Sequence, residues 1–123
     1  MSLGLRALVN RWRRRLWRVL FFRILFGERS AGVDLPGTRI SPSTVIEHEE
    51  NLQLADDVFT GHFNFIEASG GVRIGRGTQV TNFVSIISHS THRAVRVAAE
   101  LSGAALEAAV IRAPIAIGER CFI

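Results

Sequence analysis

The chain has 123 residues, a formal charge of +4 and 47% hydrophobic residues, enough to bury one modest core. A single cysteine excludes an intrachain disulfide framework, which fits a reducing compartment. The charge is unevenly divided: residues 1–27 hold seven arginines and no acid, whereas residues 28–123 hold eight arginines and eleven acids, so the overall value describes neither part.

In the first segment, Arg11, Arg14, Arg15 and Arg18 share one helical face, and Val9, Trp12, Leu16, Val19 and Leu20 share another. This spacing predicts an amphipathic helix within residues 1–27. It is not a membrane span, because Arg18 and Arg23 interrupt the apolar stretch from Leu16 to Phe26. The same interruption, with no clean small-residue cleavage site, argues against a signal peptide. Two roles suit such a helix. One is peripheral contact with an anionic membrane, with Trp12, Trp17, Phe21 and Phe22 inserted and each nearby arginine contributing about 1 kcal/mol. The other is a cap over an open edge of the following domain. The arginine run is accompanied by no nucleic-acid recognition motif, so no nucleic-acid partner is expected. Residues 28–39, with Gly32, Pro36 and Gly37, read as a connector.

From residue 40 onward a ladder of aliphatic positions recurs: Ile40, Ile46, Leu54, Thr60, Ile66, Ile74, Val80, Ile86, Ile117 and Ile123. Most steps are six residues. The steps from Ile46 to Leu54 and from Ile66 to Ile74 are eight, and they begin twenty residues apart, which describes a coil with a repeated corner insert. A unit this short cannot bury its own apolar face and must stack on its neighbours, so the period predicts an all-β solenoid with three faces per coil. A second interior slot lies four residues after each ladder position and holds Thr44, Val58, Asn64, Thr78, Val84, Ser90 and Cys121. The rival, a β-sandwich, would alternate with period two between turns.

The repeat breaks at Ile86-Ile87-Ser88-His89-Ser90-Thr91-His92-Arg93, where a histidine stands at the ladder position expected at 92. The chain returns at Pro114-Ile115-Ala116-Ile117-Gly118, leaving an alanine-rich excursion over residues 93–113 in which Val97 to Ile111 could form a helix despite Gly103. Loops gathered on one corner of a solenoid build its site. His89 and His92 are therefore candidate functional residues, although loop histidines are more often simply solvated. Glu67, one coil beneath the break, could orient a histidine or be a solvated surface acid.

Ile74-Gly75-Arg76-Gly77-Thr78-Gln79 and Ile117-Gly118-Glu119-Arg120-Cys121-Phe122 resemble the repeat of the hexapeptide-repeat acyltransferases, specifically the O-acetyltransferase branch acting on maltose, galactosides and surface polysaccharides. The resemblance covers roughly residues 40–123. It implies a left-handed parallel β-helix of about three coils and the start of a fourth, assembled as a homotrimer. It also implies acetyl-CoA as co-substrate, no metal, and a sugar or polysaccharide hydroxyl as acceptor. The spacing of His89, His92 and Arg96 is similar to the galactoside branch, where the first histidine is the base, which favours His89. Counted from the preceding Ile-Gly, the family's histidine falls between the two, so His92 stays open. Asn64 in Gly61-His62-Phe63-Asn64-Phe65 resembles a segment that contacts acceptor sugar, although its interior slot equally suits a structural asparagine.

Family members continue for several more hexads, so this chain is expected to be a fragment of a longer enzyme, in the cytoplasm or peripheral at the inner face of the membrane. Two other classes fit parts of the pattern. One is a non-catalytic, membrane-associated trimeric scaffold. The other is a zinc protein like the gamma-class carbonic anhydrases, from which the close spacing of His89 and His92 departs. Cys121, in an interior slot, reads as a packed residue.

Overall fold

The computed structural model describes residues 1–123. Helix α1 (Leu3–Phe21) opens the chain, with the Ser2 hydroxyl accepting the Leu5 N–H at 3.3 Å as an N-cap. No residue of α1 is buried. A hairpin follows, β1 (Glu28–Ser30) and β2 (Val33–Leu35), turning through Ala31 and Gly32, both at positive φ. Two consecutive left-handed residues match the twist of a two-residue hairpin, which is why this stretch is a hairpin rather than a plain connector.

The body consists of nine short strands in three parallel three-stranded sheets. The strands are β3 (Arg39–Ile40), β4 (Val45–Glu47), β5 (Leu52–Leu54), β6 (Phe59–Thr60), β7 (Phe65–Glu67), β8 (Val72–Ile74), β9 (Gln79–Val80), β10 (Ser85–Ile87) and, after the excursion, β13 (Ile115–Ile117). The sheet orders are β3-β6-β9, β4-β7-β10 and β5-β8-β13. Strands that pair lie twenty residues apart, as in Ile46 with Ile66 and Ile66 with Ile86, except β8 and β13, between which the excursion intervenes. The ladder residues therefore face one another: Ile40, Thr60 and Val80 in one sheet, Leu54, Ile74 and Ile117 in another. Phe122 continues the first sheet by bridging to Gln79. This arrangement is compatible with a parallel β-helix.

The core lies between the three sheets. Val58, Ile66, Val72, Ile74 and Val80 are essentially inaccessible, and Ile46, Leu54, Ile115 and Ile117 pack around them. Each fully buried aliphatic side chain contributes about 1.5–3 kcal/mol. The interior slots do more than accommodate small side chains. The Thr38 hydroxyl donates to the Ala55 carbonyl at 3.0 Å, that of Thr44 to Gly61 at 3.1 Å and that of Thr78 to Gly118 at 2.7 Å. Asn64 donates to the carbonyls of Gly61 and Thr81, while its own oxygen accepts the Val84 N–H. These side chains hook one tier's corner to the next, so corner carbonyls turned inward are not left unpaired.

The hairpin, not α1, lies along the lower edge. The Ser30 hydroxyl donates to the Leu52 carbonyl at 3.0 Å and accepts the Leu54 N–H at 2.9 Å, satisfying backbone groups of β5 that have no strand beneath them. Of the two roles open to the amphipathic helix, covering the edge of β5 falls instead to residues 28–35.

The excursion starts earlier than residue 93. His89–Ser90 (β11) pairs antiparallel with Ile111–Arg112 (β12), so the segment leaves and returns as a two-stranded neck. Beyond the neck are two short helices, α2 (His92–Val97) and α3 (Gly103–Ala108), in place of one helix from Val97 to Ile111. The break falls before Gly103, whose φ of +59° interrupts a continuous helix. Replacing the buried, central Ile66 by alanine is expected to lower unfolding free energy by about 2–5 kcal/mol. The same measurement on exposed Val95→Ala should move by no more than about 0.5 kcal/mol. Equal midpoints in urea would show that the ladder is not the core.

Candidate functional site

The corner after β10 brings Glu67 and His89 together. Glu67 ends β7 in register with Ile87, so the next tier places Ser88 and His89 directly above its carboxylate. Its side chain is 2% exposed, and Oε2 lies 2.7 Å from His89 Nδ1. That approach is off the ring N–H axis, so buried Nδ1 has no well-aligned acceptor. The imidazole is one-third exposed, and anchoring Nδ1 toward the carboxylate leaves Nε2 as the nitrogen able to accept a proton.

Three groups hold the carboxylate in place. The Ser69 N–H donates to Oε1 at 2.8 Å, and the Ser88 N–H and hydroxyl donate to Oε2 at 3.2 and 3.1 Å. Burial by itself would raise the acid's pKa from its ordinary 4.5; hydrogen bonds from Ser69, the close approach of the His89 imidazole and hydrogen bonds from Ser88 outweigh it and bring the value to about 2. Glu67 is therefore a fixed negative charge at any physiological pH. The surface reading of this residue fails because the tier above covers it.

Gly70 closes the corner. A side chain there would meet the Ser88 and Ala113 carbonyl oxygens, each 2.7 Å from the Cβ position. The same two residues are joined by the Ala113 N–H donating to the Ser88 carbonyl at 3.0 Å. Only glycine lets the two ends of the excursion meet over this point. Beside it opens a cleft of about 460 Å³, lined by Ser69, Gly70, Gln53, Arg73 and Pro114 among others.

His92 is not part of this pair. It is exposed at the start of α2, with Nδ1 2.6 Å from the Ser90 hydroxyl and no carboxylate partner. Asn64 is 2% exposed, and the hydrogen bonds to three backbone groups described above occupy its amide, so nothing of it is offered to a ligand. Arg96 is exposed on α2. His62 bonds through Nδ1 to the Ser41 hydroxyl at 2.7 Å, and His48 pairs with Glu50 at 3.2 Å on the surface. Cys121 is partly buried and unpaired. No three His, Cys, Asp or Glu side chains of this chain converge as a metal site. The sequence reading passed over Ser69 and Ser88; the available signal was Ser88 in the column of Ala68, immediately before the break.

No protein-family model, curated protein or solved structure matches the chain.

Because the folded pKa of Glu67 is depressed, its contribution to stability is complete above pH 4.5 and is lost as pH falls toward about 2. Unfolding midpoints of the parent should drop through that window, and Glu67→Gln should flatten the drop while lowering stability at neutral pH. Gly70→Ala is expected to cost about 1–3 kcal/mol by overpacking the corner, read from the same unfolding curves.

Proposed function

We propose that this chain carries the catalytic corner of an acyltransferase, moving an acetyl group from acetyl-CoA to a sugar hydroxyl. The acceptor would belong to a cell-envelope polysaccharide or its precursor. The observation that carries the reading is the partly exposed imidazole of His89 backed by the buried, ionised Glu67, at the one corner where the chain leaves its parallel tiers. The proposed architecture is a left-handed β-helix that trimerises, with the hand and the trimer supplied by the resemblance of the hexads to the hexapeptide-repeat family.

The chemistry requires one base. His89 Nε2 removes the proton from the acceptor hydroxyl as its oxygen attacks the thioester carbonyl, and the tetrahedral intermediate collapses to the sugar ester. The departing CoA thiolate takes up the proton, which returns the imidazole to its neutral form without an acyl-enzyme. Base assistance of this kind is worth about 10²–10⁴ in rate. Glu67 is a positioning residue: it fixes the tautomer and favours the imidazolium formed during transfer. The remaining acceleration comes from alignment of donor and acceptor and from a hydrogen-bond donor to the oxyanion.

CoA release from acetyl-CoA in the presence of a panel of sugars tests the reading, using the protein with any residues its gene encodes after Ile123. His89→Ala should reduce turnover about 10²–10⁴-fold. Glu67→Gln should lower kcat by less and leave the sugar KM near its parent value, and His92→Ala should leave turnover near the parent's. Loss of activity in His92→Ala but not His89→Ala would move the base to His92. No turnover with any sugar would favour the scaffold.

A further inference from the structure

Helix α1 presents three edges with different chemistry. Toward the body, Trp17 packs on Phe21 at 4.3 Å, and Phe22, just past the helix, packs on His62 at 5.7 Å and Phe63 at 5.4 Å. A second edge carries Leu5, Leu8, Trp12, Leu16 and Leu20, all exposed, with Trp12, Leu16 and Leu20 at 61%, 59% and 62%. Helical spacing puts Arg15 on one flank of this strip and Arg13 on the other, and the third edge is Arg11, Arg14 and Arg18. No acid lies anywhere in residues 1–27. The cleft between α1 and the body, about 570 Å³, is lined by Arg13, Arg14, Arg18, Trp17, Phe22 and His62 and likewise contains no carboxylate.

An occupant of this surface must be apolar along the strip and anionic along both its borders. The α1 of a second copy would place arginines against arginines. A nucleic acid would neutralise the arginines and leave Trp12, Leu16 and Leu20 in water. A lipid bilayer with anionic headgroups meets both demands at once, since acyl chains receive the strip while phosphates sit at the depth of the flanking guanidinium groups. The helix has no stretch long and apolar enough to cross a membrane, so it would lie in the surface plane.

We propose that α1 is an interfacial helix that docks this protein on an anionic bilayer, inserting Leu5, Leu8, Trp12, Leu16 and Leu20 between the phosphate-binding Arg13 and Arg15. Phe22, which packs on His62 and Phe63 and is backed by Trp17, joins the membrane-lying helix to the body. This docking is independent of the acyl-transfer reading and applies equally to a scaffold.

The test uses the full chain and vesicles of phosphatidylcholine with or without phosphatidylglycerol. Both tryptophans lie in α1, so intrinsic fluorescence reports on the helix alone. Flotation with the phosphatidylglycerol vesicles is expected at low salt, reduced at high salt and weak on phosphatidylcholine alone. In Trp17→Phe the remaining Trp12 should shift to the blue on binding, and in Trp12→Phe the remaining Trp17 should shift less. Removing Arg13 and Arg15 together by alanine should weaken partitioning about 25-fold, taking about fivefold for each surface arginine. Leu16→Glu with Leu20→Glu, at exposed positions that leave the body's circular dichroism unchanged, should abolish flotation. Absence of flotation with anionic vesicles, equal binding to both vesicle types, or full binding by the double glutamate variant would each overturn the proposal. Self-association that depends on Leu16 and Leu20, without vesicle binding, would overturn it in favour of a second copy.

Discussion

Each tier of this protein is too small to enclose an apolar face, and only the tier above or below can do so. That imposes a strict spacing. Facing residues must recur every twenty positions, because a slip of one would turn the ladder residues outward along every strand. Ile66 is 1% exposed only because Ile46 and Ile86 stand in register on either side. The corner hydrogen bonds of Thr38, Thr44, Asn64 and Thr78 follow the same spacing, since each reaches a carbonyl of the adjoining tier. Packing and polar satisfaction therefore select one register, which is the consistency expected of a sequence that specifies a single structure.

The candidate site arises where that spacing is suspended. Val72 pairs with Ile115, not with residue 92, so the tier is completed only after the chain has run out through His89–Ser90 and back through Ile111–Arg112. The departure leaves His89 one-third exposed while the tier beneath still presents Glu67 at full burial. A carboxylate taken from water in this way is destabilised unless its oxygens are occupied, and Ser69 and Ser88 occupy them. The same geometry explains why Gly70 has no side chain: the two strands of the neck close over it.

Charge separates the chain into two physical parts. The body carries acids and arginines in near balance and forms surface pairs such as Arg76 with Asp57 at 2.8 Å and Arg112 with Glu107 at 2.8 Å, which contribute little individually. Helix α1 has only positive charge and forms none of the chain's ion pairs. Its seat on the body is aromatic, and its apolar strip points away, which leaves its charge and most of its hydrophobic surface available to a partner of opposite charge.

The sequence alone made the repeat legible, because period and side-chain size are linear properties: Ile40, Thr60 and Val80 are recognisable as one column before any folding is considered. The arginine-rich amphipathic helix and the break near His89 were legible for the same reason. The hairpin at Ala31-Gly32 was not, since the left-handed φ of Ala31 has no composition signal comparable to Asn-Gly. The division of the excursion at residues 98–102 had one visible sign, Gly103, whose left-handed φ outweighs the helix preference of the alanine-rich stretch around it. Between His89 and His92 the sequence leaned to His89 by resemblance and left His92 open. Both lie within four positions of each other, and only the stacking of tiers decides which imidazole meets a carboxylate twenty-two residues earlier in the chain. Periodicity fixes which residues face inward; the burial and ionisation of Glu67 depend on what covers it, and that is a property of three dimensions.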